Sequence, residues 1–168
     1  MTVKPDRISQ LFTIHHDALF RYLVRLSGDA DIAADAAQEA FVKLLQREPM
    51  GSGERAWLFT VGTNHVLEAK RTSARRLRLL TGRGERTMGD APPDAHASVE
   101  ADERRRVVMA ALDGLSDKER VAILMREEGF SHREIAGAVG TTTGSVGTLL
   151  ARTLDRLTRE TTLDRDAL

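Results

Sequence analysis

The chain has 168 residues, 25 Lys+Arg against 25 Asp+Glu, and no cysteine. Without cysteine there is no disulfide, no thiolate zinc site and no thiol nucleophile. A formal net charge of zero weighs against a whole surface built for nucleic acid, and no run approaches the roughly 18 apolar residues of a membrane span.

In chain order, Met1-Thr2-Val3-Lys4-Pro5-Asp6 has no apolar core of a secretory signal. A cytoplasmic protein without membrane insertion is therefore expected. Ile8, Leu11, Phe12, Leu19, Leu23 and Leu26 recur at helical spacing, which predicts an amphipathic helix over residues 8–26 ended by Gly28. Asp31 is the expected N-cap of a second helix over residues 32–46. Its apolar stripe is Ile32, Ala36, Ala40, Phe41, Leu44 and Leu45, and its other face carries Asp35, Gln38, Glu39 and Lys43.

Pro49-Met50-Gly51-Ser52-Gly53 reads as a turn. A third helix is expected from about Glu54 to Leu80. It starts with Trp57, Leu58 and Val61, with Trp57 and Val61 on its inner face. It leaves through a basic run, where Lys70, Arg71, Arg75, Arg76, Arg78, Arg83 and Arg86 face one acid, Glu85. The neutral total thus hides a local cationic segment, with compensating acid elsewhere. Residues 81–98, with Gly82, Gly84, Gly89, Pro92 and Pro93, read as a flexible linker. Helical spacing resumes at Val99, Val107, Val108, Ala111 and Leu112. It continues through Val121, Ile123 and Leu124, and again from Ile135 to Leu157. No strand pattern occurs. The expected fold is all-α, with small helical domains over residues 1–80 and 99–162 and a linker over 81–98.

Residues 131–150 carry the sharpest local pattern. Ser131 with Glu134 is a capping box, Ala136 is small enough for a close helix crossing, and Gly140 suits a tight turn. Thr143 is the expected cap of the next helix, and Val146 with Leu149 or Leu150 supplies its apolar face. These offsets fit a DNA-binding helix-turn-helix, and they would also serve a plain helical hairpin. The side chains expected to reach DNA are Arg133, Thr142, Thr143, Ser145, Thr148 and Arg152. With so few charges among them, tight duplex binding by this element alone is not expected. His15, His16, His65, His96 and His132 form no metal-ligand spacing, and no phosphate-binding loop is present. No catalytic group, metal or cofactor is expected.

Four segments in order resemble the extracytoplasmic-function type of bacterial sigma factor. Asp35-Ala36-Ala37-Gln38-Glu39-Ala40-Phe41 is similar to its D-x-x-Q-E-x-F segment. Trp57-Leu58-Phe59 with Asn64 is similar to W-L-[YF]…N. Leu115-Ser116-Asp117-Lys118-Glu119-Arg120 is similar to L-P-x-x-x-R. Phe130-Ser131…Glu134-Ile135-Ala136 with Gly140 is similar to its helix-turn-helix. The resemblance implies a factor that binds core RNA polymerase and directs it to promoters. It places Asp35, Gln38, Glu39 and Phe41 at the polymerase. The turn at residues 48–54, with Asn64, His65, Lys70, Arg71, Arg75 and Arg76, would sit at the −10 element, and the helix-turn-helix at the −35 element. Gly147 stands where the family usually carries Lys or Arg, so Leu149 or Leu150 is expected to face a protein. An anti-sigma factor is an implied partner, and the chain is expected to be a monomer when free. Two other functions fit parts of the pattern: a stand-alone helix-turn-helix regulator, and a degenerate sigma-like protein that sequesters an inhibitor.

Overall fold

The computed structural model of the chain describes residues 5–47, 53–81 and 99–166. The expected turn at 48–52, and the linker from residue 82 with Arg83 and Arg86, lie outside the described residues. Every element among the described residues is a helix, and the chain divides into two compact units, Met1–Ala91 and Pro92–Leu168.

The first unit contains α1 (Pro5–Ser27), α2 (Ala30–Gln46) and α3 (Gly53–Thr81). Leu19, Tyr22, Leu23 and Leu26 of α1 are buried against Ala33, Ala36, Ala37, Ala40, Phe41 and Leu44 of α2 and Leu58, Phe59 and Val66 of α3. Four alanines on one face let α2 lie close to its neighbours, while the leucines and aromatic rings fill the space between. Each fully buried large side chain contributes roughly 1.5–3 kcal/mol from removal of apolar area from water.

Three expectations change here. The N-cap of α2 is Asp29, not Asp31: its Oδ1 accepts from the N–H of Asp31 at 2.8 Å and of Ile32 at 3.0 Å. Gly28 ends α1 with φ 73°, so the chain has already turned by Asp29 and helix geometry starts at Ala30. Phe12 and Leu45 belong to the apolar periodicity but remain 45% and 38% exposed. Trp57 and Val61 are only half-buried, because α3 turns Leu58, Phe59, Gly62, Thr63 and Val66 inward instead.

The second unit contains α4 (Val99–Asp113), α5 (Asp117–Glu127), α6 (His132–Val139) and α7 (Thr143–Asp166). Its core is Leu115, Val121, Ala122, Leu124, Met125, Phe130, Ile135, Val146 and Leu150. Arg120 is buried with its guanidinium hydrogen-bonded. Its Nε donates to the Leu112 carbonyl at 3.0 Å and its Nη2 to Asp113 Oδ1 at 2.7 Å. A buried charge without such partners would be strongly destabilising. Arg156, near the middle of α7, ties that helix back by donating to the Gly114 carbonyl at 2.8 Å and to Glu119 Oε2 at 3.2 Å. Of the apolar stripe expected on α4, Leu112 is buried while Val99, Val107 and Val108 are exposed.

Candidate protein and nucleic-acid interfaces

On α2, Asp35, Gln38, Val42 and Leu45 are exposed at i, i+3, i+7 and i+10, one continuous outward stripe. The opposite face is the buried alanine row, so the stripe has no role in the core. Glu39 lies at its margin, half-buried, 3.3 Å from Lys43. Phe41 does not reach the surface. It is buried beneath the stripe, with its ring 5.0 Å from that of Phe12. Phe12 in turn stacks on His16 at 4.3 Å. Val42, Leu45 and Phe12 therefore add an apolar margin to a polar stripe. Periodicity alone places Leu45 and Phe12 in the core and gives Val42 no role, yet all three are exposed.

On α3, Trp57, Val61, Asn64, Glu68 and Arg71 follow one another at i, i+4, i+7, i+11 and i+14, along the side turned from the core. Asn64 is exposed and His65 half-buried beside it. The start of α3 is braced by two contacts. Arg7 of α1 pairs with Glu54, and the Arg55 guanidinium lies 5.2 Å from the centre of the Phe59 ring. The Glu54 carboxyl is held below its ordinary range, first by its own backbone N–H at the helix start and further by Arg7. His15 nearby is pushed down by burial and then by Arg55. Further along, Lys70 is half-buried, and Arg71, Arg75 and Arg76 are exposed. Arg71 lies 3.7 Å from Glu68. From residue 71 to 80, every residue but Leu77 is exposed. The cationic part of α3 thus lies beyond the packed body of its unit.

In the second unit both parts of the capping box at Ser131 are present: Ser131 Oγ accepts from the Glu134 N–H, and the Glu134 carboxylate accepts from the Ser131 N–H at 2.8 Å. Gly140 closes α6 with φ 72°, a left-handed conformation that costs a residue with a Cβ about 1 kcal/mol or more. The side chain at the start of α7 is Thr142, not Thr143. Thr142 Oγ1 accepts from the Ser145 N–H at 3.3 Å and is 2.8 Å from Ser145 Oγ. Thr143 lies one position inside the helix. Thr142, Thr143, Ser145, Thr148, Arg152 and, on α6, Arg133 are all exposed. Leu150 is buried and Leu149 half-buried, so Leu150 is an anchor of α7 and not a protein contact. Gly144 has open space where a Cβ would stand, and Gly147 meets only His132 Cε1 at 3.8 Å. Among the described residues no group of three His, Asp or Glu side chains is arranged to hold a metal.

Two family models match in the order of the two units. Sigma-70 region 2 covers residues 11–76, and Sigma-70 region 4 covers residues 105–157. SigL of Mycobacterium tuberculosis, an extracytoplasmic-function RNA polymerase sigma factor, is 34% identical over 144 residues, spanning 81% of this chain and 78% of SigL. The chain belongs to the extracytoplasmic-function sigma factors. EcfG of Rhodopseudomonas palustris, of the same type, is 32% identical over 145 residues, covering 83% of this chain and 77% of its own. Among solved structures, the sigma factor RpoE of Bartonella quintana, in complex with the anti-sigma factor NepR, superposes with a TM-score of 0.73. The identity is 26%, with 93% of this chain and 97% of that one covered. As a sigma factor the chain directs transcription initiation by RNA polymerase. Its region 2 match contains both the α2 and α3 stripes, and its region 4 match contains the helix-turn-helix.

Proposed function

We propose that this sigma factor docks on core RNA polymerase through the α2 stripe of Asp35, Gln38, Val42 and Leu45, with Glu39 at its edge and Phe41 supporting it from beneath. The observation that carries the assignment is the separation of faces on α2. One face is buried throughout, and the other exposes Val42 and Leu45 together with Asp35 and Gln38, the mixture of apolar and polar side chains that a protein interface combines. Asn64 and His65 contact the −10 element, where an amide offers both a donor and an acceptor to a base edge. Lys70, Arg71, Arg75 and Arg76 follow phosphates. Trp57, two turns ahead of Asn64 on the same side, adds an aromatic surface to that path. Arg133, Thr142, Thr143, Ser145, Thr148 and Arg152 meet the −35 duplex.

The protein acts as a non-enzymatic specificity subunit in the cytoplasm, a monomer when free. Its functional division is residues 1–80, 81–98 and 99–162. RpoE's complex with NepR supports an anti-sigma factor as a further partner. A stand-alone helix-turn-helix regulator leaves α1 to α3 without a task.

The test pairs binding with transcription. Asp35→Arg combined with Gln38→Ala should abolish co-purification with core polymerase while helical content stays unchanged. Intact polymerase binding by this variant refutes the docking assignment. Run-off transcription from genomic DNA with core enzyme should yield a small set of start sites sharing both elements. A transcript set no different from core enzyme alone would point to the sequestering decoy.

A further inference from the structure

Beneath Asn64, a polar contact joins two buried side chains of α1 and α3. Tyr22 Oη of α1 and Thr63 Oγ1 of α3 are 2.7 Å apart, 41 residues distant in sequence, and both residues are 0% exposed. Thr63 immediately precedes Asn64. On the other side of Thr63, Gly62 allows a very close approach, since a Cβ there would lie 3.1 Å from both δ-carbons of Leu23. The Tyr22 ring also packs on Phe59 with centroids 5.0 Å apart. The segment of α3 that presents Asn64 is thereby fixed in depth by Gly62 and in rotation by the hydroxyl pair.

Packing alone does not require this arrangement. Replacing both partners of a buried hydrogen bond by apolar groups of the same shape is often close to neutral for stability. What a hydrogen bond adds is direction. An outward side chain lies roughly 6 Å from its helix axis, so a rotation of about 20° displaces it by about 2 Å. That displacement exceeds the width of the distance range within which an amide bonds a base, about 2.7–3.2 Å.

We infer that Tyr22 and Thr63 form a positioning pair that holds the rotational setting of α3, and so the aim of Asn64 at its base. Neither residue touches DNA. The inference rests on the reading of Asn64 as a base contact, and the experiment separates the two.

The full-length protein is assayed with core polymerase on a promoter recovered by run-off transcription. The same promoter is used with each −10 base substituted in turn. The readout is discrimination, the ratio of initiation on the original to initiation on the substituted element, alongside polymerase affinity and thermal midpoint. Asn64→Ala should lower discrimination at one position. Tyr22→Phe with Thr63→Val should lower discrimination at that same position by about five-fold, the equivalent of one neutral hydrogen bond. Its polymerase affinity and thermal midpoint should stay near those of the parent. Thr63→Ser, which keeps the hydroxyl, should retain discrimination. If Asn64→Ala lowers discrimination and the double variant does not, the pair is only packing and the inference is overturned. If the double variant loses polymerase binding and discrimination in equal measure, its effect is general destabilisation and the inference is also overturned. If Asn64→Ala changes nothing, the base-contact reading fails first, and the positioning role fails with it.

Discussion

Gly62 and Glu119 show how single residues set the two units. At Gly62 the helices α1 and α3 are so close that an added Cβ would press on the flexible end of Leu23. Alanine there exchanges crowding for better helix propensity, two effects of about 1 kcal/mol and opposite sign. A leucine gains nearly the same propensity, but its larger side chain has no room beside Leu23 and Leu19. Gly62→Leu should destabilise the first unit by about 1–3 kcal/mol, read as a lower urea midpoint at unchanged slope. Glu119 accepts from Ser116 Oγ at 2.7 Å, from the Ser116 N–H at 2.8 Å and from Arg156. The Ser116 hydroxyl first, then its N–H and the Arg156 charge, hold this carboxyl below its ordinary range. The carboxylate is favoured in the folded state, so its contribution is complete above the ordinary carboxylate range near pH 4.3. It is lost as the pH falls through the lowered folded value. Glu119→Gln should therefore lower the thermal midpoint at pH 7 and flatten its fall between about pH 5 and 3. The capping box at Ser131 was legible in the sequence because its two members are three residues apart. Asp29 was not, since Asp29 and Asp31 are equivalent by residue type until the turn at Gly28 places one of them.

Among the elements, α7 departs furthest from what a reading helix usually offers. Gly144 and Gly147 weaken it by about 1 kcal/mol each relative to alanine, and neither position is crowded. Gly144→Ala with Gly147→Ala should raise the thermal stability of the second unit, seen by calorimetry of the full chain. Gly147→Arg places a cation on a face that otherwise carries hydroxyls. It should steepen the salt dependence of duplex binding by about one counterion, a change near 0.9 in the logarithmic slope. The helical periods of α1, α2 and α3 were legible because buried residues recur on one face. That rule located the elements but assigned Phe12, Leu45, Trp57 and the valines of α4 to cores they do not enter. Periodicity reports that a helix has an apolar side; the neighbouring helices decide how wide a strip of it they cover.

For the whole molecule, charge placement matters more than charge sum. The net charge is zero, yet the exposed end of α3 carries Arg71, Arg75, Arg76 and Arg78. With a net charge of zero and few cations among the exposed side chains at the start of α7, the purified protein should bind duplex weakly, with little preference for sequence. In the complex with core polymerase, binding should become promoter-specific. Gel-shift titration with and without core enzyme at fixed salt checks this. Tight, specific binding by the free protein would contradict it.

Length, composition and four short segments by themselves determined the helical class, the chain order of the two regions and the residue types available to each interface. These are local properties, carried by spacing within one helix or across one turn. Tertiary structure decided which side of each helix is available. It turned Trp57 outward onto the side that carries Asn64 and exposed Val42 and Leu45 beside Gln38. It also buried Phe41 and Leu150 and brought Tyr22 to Thr63. The reason is geometric: an apolar stripe allows a range of rotations, and only close packing at Gly62 and the alanine face of α2 selects one.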